Sequence, residues 1–345
     1  MRKTKKVYCG DVAIGGGSPI TIQSMTNTDT SDVEKTVTQI KSLQDAGCEI
    51  VRVAVPDEKA AEAILPIKRQ IQIPLIADIH FDYRLALSAI NQGADKIRIN
   101  PGNLGGEEKL RAVVSAAKKA NIPIRIGVNA GSLEKEILAR DGVISEKALV
   151  ESALKAIRKI EEMDFENMVV SVKSSDVSLN YHAYRILSEK TNYPLHIGVT
   201  ESGTPARGGM KSAAGLGALL LSGIGDTMRV SFTGDPVEEV LFAKELLKAC
   251  GIRKEGINLI SCPTCGRCRV KLADVVEKVE NSLPETTKPM TIAIMGCEVN
   301  GPGEAKEADI GIAFGNKRAA IFRKGNIIKT VEEAKAVDEL LALIE

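Results

Sequence analysis

Leu75-Ile76-Ala77-Asp78, Lys96-Ile97-Arg98-Ile99 and Ile124-Arg125-Ile126-Gly127-Val128 are three short β-branched runs, and the chain between them reads as helix. Glu107 to Ala120 has helical apolar spacing and carries acids in its first turn, facing the positive end of the helix dipole. Gly93 ends the preceding helical stretch, because glycine takes the left-handed conformation that stops a helix most easily. Strand, helix and strand in that order make a parallel βαβ unit.

Working outward, the same alternation covers residues 20–250. The further strand candidates are Ile20 to Ser24, Ile50 to Ala54, Met168 to Val172, Leu195 to Val199 and Met228 to Ser231. Ser31 to Ala46 reads as a helix with the serine placed to cap it and Gly47 to end it. Eight βα units predict an α/β fold, a (β/α)8 TIM barrel over 1–250. A doubly wound sheet would have fewer strands and a phosphate-binding glycine loop after the first one. Gly15-Gly16-Gly17 precedes the first strand and reads as a turn.

After Gly251 the pattern changes. Ile257 to Ile260 and Thr291 to Met295 read as strands that each run into a cysteine loop, with Arg269 to Asn281 as a helix between them. Ile310 to Phe314 and Ala319 to Phe322 read as further strands, and Val331 to Ile344 as a closing amphipathic helix. This predicts a small α+β domain over 251–345.

Composition narrows the function. The 345 residues are 44% hydrophobic and 26% charged, ordinary for a globular protein. A net charge of +1 argues against an extended polyanion, and the absence of Trp against a base-stacking platform, so no nucleic acid is expected. The most apolar stretch, Ala213 to Ile224, is broken by Gly and Ser and too short to span a membrane. Met1 to Lys6 is basic, but no continuous apolar core follows, which predicts a cytoplasmic protein with a solvated basic start. Seven cysteines, four of them in two loops, suit a reducing compartment and a metal site better than disulfides. Cys9, Cys48 and Cys250 are isolated and read as buried small hydrophobes.

The two loops carry the metal chemistry. Cys262-Pro263-Thr264-Cys265 is a minimal chelate for a thiophilic metal, and Cys297 is followed by Glu304, which closes a Gly301-Pro302-Gly303 turn. Three thiolates and a possible oxygen ligand suggest an iron–sulfur cluster with one weakly held iron. A structural zinc on four thiolates, Cys268 included, is the alternative, and Cys268 can be ligand, spare thiol or spectator.

In a TIM barrel the chemistry sits where strands end at the C-terminal face. In or just after the strands lie Arg52, Asp78 with His80, Arg98 with Asn100, Arg125 with Asn129, Lys173, Glu201, and Arg229 with Ser231. One cation in an apolar strand can reach solvent or pair with an acid. Five converging from different strands form a pocket for a compact polyanion, and Arg forks match phosphate oxygens two at a time. Asp78 and Glu201 are the candidates for proton transfer.

Ser261 to Arg267 together with Gly296 to Glu304 closely resembles the 4-hydroxy-3-methylbut-2-enyl diphosphate synthases of the methylerythritol phosphate route to isoprenoids. Gln23 to Asn27, Val51 to Pro56, Ala77 to Phe81, Ile97 to Gly102, Ile124 to Ser132, His196 to Glu201 and Arg229 to Pro236 match as well, so the resemblance covers nearly the whole chain in its short bacterial form. It implies a two-electron reductive dehydroxylation and ring opening of 2-C-methyl-D-erythritol 2,4-cyclodiphosphate. It also implies a 4Fe–4S cluster on Cys262, Cys265 and Cys297 with Glu304 on the fourth iron. Substrate oxygen would displace that glutamate, and Glu201 would donate the proton. Electrons would come from reduced ferredoxin or flavodoxin, in a homodimer whose active site is shared between subunits. Cys268 departs from the family's three-cysteine set. Two other readings stay open: a pterin-binding type of barrel carrying a structural zinc, and an electron carrier fused to an inert barrel.

Overall fold

The chain's basic start folds. β1 (Lys6–Cys9) and β2 (Val12–Gly15) form an antiparallel hairpin that buries Val7, Cys9 and Ile14 against Ile50, Ile76 and Val169. Arg2 is tied down too, its guanidinium donating to the carbonyls of Ser188, Thr191 and Tyr193 at 3.1, 2.5 and 2.5 Å. The expected solvated start is corrected for Arg2, while Lys3 and Lys6 are exposed as expected; alternate apolar residues supply the hairpin's buried face, a signal too short to stand out in composition. This computed structural model describes residues 2–133, 137, 142–284, 288–298 and 305–344. They form two units, Met1–Cys250 and Gly251–Glu345.

In the first unit, β3 (Thr21–Met25), β4 (Ile50–Ala54), β5 (Leu75–Asp78), β6 (Lys96–Ile99), β7 (Ile124–Asn129), β8 (Met168–Lys173), β9 (His196–Ile197) and β10 (Thr227–Met228) form one parallel sheet. Its order is β8-β7-β6-β5-β4-β3-β10-β9, and a parallel bridge from Val170 to Leu195 joins the two ends into a barrel. Helices α1 (Val33–Asp45), α2 (Glu58–Glu62), α3 (Ile64–Lys68), α4 (Tyr83–Asn91), α5 (Glu107–Ala120), α6 (Glu146–Glu161), α7 (Val177–Lys190), α8 (Pro205–Leu221) and α9 (Pro236–Ala249) connect the strands. The cap of α1 is Asp32, which accepts from the Lys35 amide at 3.2 Å, not Ser31. Gly47 and Gly93 take φ of +102° and +89° after α1 and α4, the left-handed stops their positions suggest.

The last two staves are shorter than their sequences suggest. The β9 ladder stops at Gly198, where the Lys173 ammonium lies against the glycine and an added Cβ would stand 2.9 Å from the Arg229 carbonyl. There the barrel gives up backbone pairing to make room for a charged side chain.

The second unit holds a five-stranded sheet of order β11-β12-β13-β14-β15. Its strands β11 (Ile257–Ser261), β12 (Met290–Met295) and β13 (Ile310–Phe314) run parallel, and β14 (Arg318–Arg323) and β15 (Asn326–Glu332) antiparallel. Leu272 and Val279 from α10 (Leu272–Glu280), and Ala336, Val337 and Leu340 from α11 (Ala336–Leu341), pack on Ile292, Ile294, Ile310 and Ile312. The closing helix expected from Val331 is corrected. Val331 and Glu332 pair with Ala319 and Arg318 as the end of β15, and α-helix begins at Ala336 after a 3-10 turn over Glu333–Lys335. The Glu-, Lys- and Ala-rich run favours helix locally, but the open ladder of β14 claims its start.

Candidate anion pocket and thiol site

Period-two alternation in the staves turns every second residue inward. The register pairs Asp78 with Arg98 and Arg98 with Arg125, placing three charges side by side on β5, β6 and β7. Asp78 is 3% exposed. It accepts from Arg98 Nη1 at 3.1 Å, and Arg52 Nε and His80 Nε2 lie 3.7 and 3.5 Å from its other oxygen. Burial alone would raise its pKa. Arg52, the His80 hydrogen bond, Arg98 and Arg125 outweigh burial and hold the carboxyl well below the usual range. Asp78 is thus a fixed anion that binds the cations together and a poor proton donor.

The cations are less satisfied than the acid. Arg125 is buried and donates Nη1 to Ser171 Oγ at 3.1 Å, while its Nε and Nη2 find no acceptor among the described residues. Arg98 Nε is also without a partner. Among the described residues, the Arg52 fork reaches only the soft Met25 Sδ, at 2.9 and 3.2 Å, besides Asp78. Burial lowers Arg52 to about 10, with Asp78 opposing. Lys173, on β8 beside Asn129, is pushed well below its ordinary value by burial and then by Arg125, Arg52, Arg229 and Arg98. Arg229 is held by Glu239 of α9 at 3.3 Å, and the second oxygen of that carboxylate accepts the Phe232 amide at 2.8 Å. Buried donors that lack acceptors, crowded by like charge, are the electrostatic form of an anion pocket.

The remaining expected residues stand at the strand ends. Asn100 follows β6 and accepts from the Gly102 amide at 3.2 Å, and Asn129 is the last residue of β7. Ser231 accepts, through its carbonyl, the Ser202 hydroxyl. Glu201 is exposed and adopts φ +52°, a conformation uncommon outside glycine that concentrates at functional sites. Among the described residues, no hydrogen bond ties the Glu201 carboxylate or the Ser231 hydroxyl into the network. Glu239, Met25 and Lys96 escaped the sequence reading. Lys96 had a signal, because it lies two residues before Arg98 and so shares its inward parity.

In the second unit the thiols gather where parallel strands end. Ser261 of β11 pairs with Ile294 of β12, which brings Cys262 beside the chain that leads to Cys297. The Gly296 amide donates to Cys262 Sγ at 3.3 Å, and an added Cβ on Gly296 would stand 2.5 Å from Cys268 Sγ. Cys265 is exposed on the turn, whose Cys268 amide donates to the Cys265 carbonyl at 2.9 Å. Cys297 is buried. Among the described residues no three donors are drawn to one point, and Glu304 lies outside those residues. Soft thiols on two adjacent strand ends, with a backbone N–H aimed at sulfur, fit an iron–sulfur cluster. Cys9 and Cys48 are buried as expected, whereas Cys250 is half-buried at the end of α9, because its side of the helix end meets solvent.

Among solved structures, the dihydropteroate synthase of Yersinia pestis shares the fold at a TM-score of 0.52 and 12% identity, covering 71% of this chain and 97% of that one. At that identity the likeness is one of architecture. The sequence comparisons are closer. The 4-hydroxy-3-methylbut-2-en-1-yl diphosphate synthase (flavodoxin) of Caldanaerobacter subterraneus subsp. tengcongensis is 58% identical over 100% of this chain and 98% of that protein. The Clostridium perfringens protein of the same name is 59% identical over 100% and 99%. The GcpE TIM-barrel domain matches residues 4–244 and the GcpE protein C-terminal domain residues 258–345. The chain therefore belongs to the GcpE family of 4-hydroxy-3-methylbut-2-en-1-yl diphosphate synthases.

Proposed function

We propose that the chain reduces 2-C-methyl-D-erythritol 2,4-cyclodiphosphate to 4-hydroxy-3-methylbut-2-enyl diphosphate. The substrate dianion takes up two electrons and one proton, and gives the open-chain diphosphate trianion and water. The observation that carries this reading is the cluster of buried Arg donors without acceptors inside the barrel, on Arg98 and Arg125. Two phosphoryl groups joined by a bridging oxygen supply the acceptors those forks lack.

Arg52, Arg98, Arg125, Lys173 and Arg229 hold the diphosphate, and Asn100, Asn129, His80 and Ser231 orient its edges from the strand ends. Asp78 keeps Arg52 and Arg98 in place between turnovers. Glu201 gives its proton to the C3 hydroxyl, so that the oxygen leaves as water. Cys262, Cys265 and Cys297, together with Glu304, would hold a 4Fe–4S cluster, which would supply the electrons. Reduced flavodoxin, named in the relatives, or ferredoxin is the donor, and the chain works as a homodimer whose active site draws on both subunits.

The test is anaerobic turnover of the cyclodiphosphate with reduced flavodoxin, together with binding to single Met variants of the five cations. Each charge-assisted bond is worth about 1.5–3 kcal/mol, so each variant binds roughly ten- to a hundredfold more weakly with an unchanged cluster spectrum. Unchanged affinity in all five variants refutes the pocket.

A further inference from the structure

One barrel charge has no role in that chemistry. Lys96 lies on the inward face of β6 two residues before Arg98, one layer closer to the hairpin end of the barrel. It is fully buried and its Nζ has no hydrogen-bond partner among the described residues. The charged and titratable groups whose fields act on it are Cys9 from the hairpin, Arg125 from β7 and Arg52 from β4, and its charge is felt by His196 on β9. Cys9 is a neutral thiol, pushed up to about 11 by burial, and burial together with the surrounding cations keeps His196 neutral. No carboxylate stands among them. Among the described residues, six cations of the barrel strands (Arg52, Lys96, Arg98, Arg125, Lys173, Arg229) meet two carboxylates, Asp78 on β5 and Glu239 reaching in from α9, an excess of four charges when all are ionised.

We propose that Lys96 is a positioning residue of the anion pocket. From beneath Arg125 its buried ammonium repels the Arg125 fork toward the mouth and adds a long-range attraction for the diphosphate, present only while the amine is protonated. It touches no substrate atom. The proposal rests on the diphosphate reading of the pocket.

Two features give it physical force. Arg125 spends one nitrogen on Ser171 and keeps two free, so a cation below biases where the free edge points. Burial lowers Lys96 to about 8, with Cys9 opposing and Arg125 and Arg52 adding to the shift. A bound dianion favours the charged form, so substrate affinity is full below that value and declines as pH rises through it. The cyclodiphosphate carries one strong acid on each phosphorus, so its own charge is constant over this range.

The experiment is equilibrium binding of the cyclodiphosphate to oxidised holoenzyme, which lacks the electrons to turn over, across neutral to alkaline pH. Wild type should lose about tenfold in affinity above pH 8, the order expected of one unit charge at an effective dielectric of about 20. Lys96→Met should be about tenfold weaker at neutral pH and flat, so that the two curves converge at high pH. Equal affinities at neutral pH overturn the proposal. So does an alkaline decline that persists in Lys96→Met, which assigns it to Lys173. If the Met variant does not fold, Lys96→Gln takes its place with the same two outcomes. Wild type that binds no cyclodiphosphate at any pH sinks the pocket itself, whereas binding indifferent to Lys96 sinks only its role.

Discussion

Among single residues, the thiols differ in surroundings that determine their fate. Cys262 accepts the Gly296 amide at its sulfur, at 3.3 Å, whereas the Cys268 thiol turns to the Val270 carbonyl, at 3.2 Å. Cys262→Ser, Cys265→Ser and Cys297→Ser should each abolish the cluster, measured as iron, labile sulfide and visible absorption after anaerobic purification. Cys268→Ser should keep about four irons per chain, and loss of cluster there would move Cys268 into the ligand set. Glu201 is set apart by backbone, held at φ +52° at the rim. Glu201→Gln keeps its shape but removes the transferable proton. Cluster content and substrate affinity should stay near wild type while turnover falls about 10²–10⁴-fold, the usual range for an acid–base group. A variant that turns over at full rate would show that the proton comes from elsewhere.

The strands set the pocket's width. On β7, Gly127 faces the Arg98 guanidinium, and an added Cβ would stand 2.6 Å from Arg98 Nε. Gly127→Ala leaves the ladder intact but pushes a flexible side chain off Asp78. It should weaken cyclodiphosphate binding by about tenfold, one charge-assisted bond, with little change in melting temperature. A variant that binds normally would show that the fork has a second way to reach the substrate. At Gly198 the crowding involves the Arg229 backbone, so substitution there should cost stability as well. The inward parity of Arg98, Arg125 and Lys173 is readable in the alternating strands. The glycine that admits each cation becomes meaningful only once its cross-strand neighbour is known.

For the whole molecule, the first unit trades stability for binding. Lys96 has a folded value of about 8 against 10.5 when exposed. Below about pH 8 both folded and unfolded chains carry the charge, and the folded chain bears its full burial cost of about 3 kcal/mol. As pH climbs from 8 toward 10.5 the native amine loses its proton first and the cost fades. Lys96→Met should therefore stabilise the substrate-free protein at neutral pH by up to about that amount, with the advantage shrinking through the alkaline range. Chemical denaturation of both proteins at neutral and alkaline pH measures it. A Met variant less stable than wild type at neutral pH would mean that an internal acceptor satisfies the amine.

Local signals, taken alone, determined the order of elements, the barrel, the cysteine pairs and the inward cations, because periodicity and motif spacing are properties of neighbouring residues. They also assigned Lys173, Arg125 and Arg229 to one pocket, since a closed barrel turns all its staves toward one interior. Tertiary structure alone decided three things. The hairpin that follows the basic start forms because Val7, Cys9 and Ile14 find Ile50, Ile76 and Val169 across the barrel end. Val331 is strand because β14 offers an open ladder. Asp78, which sequence presents as a possible acid, is a permanently ionised clamp because Arg52, Arg98 and His80 meet it in space. Each of these depends on partners remote in sequence or on another strand, and an electric field inside a barrel is the sum over all of them.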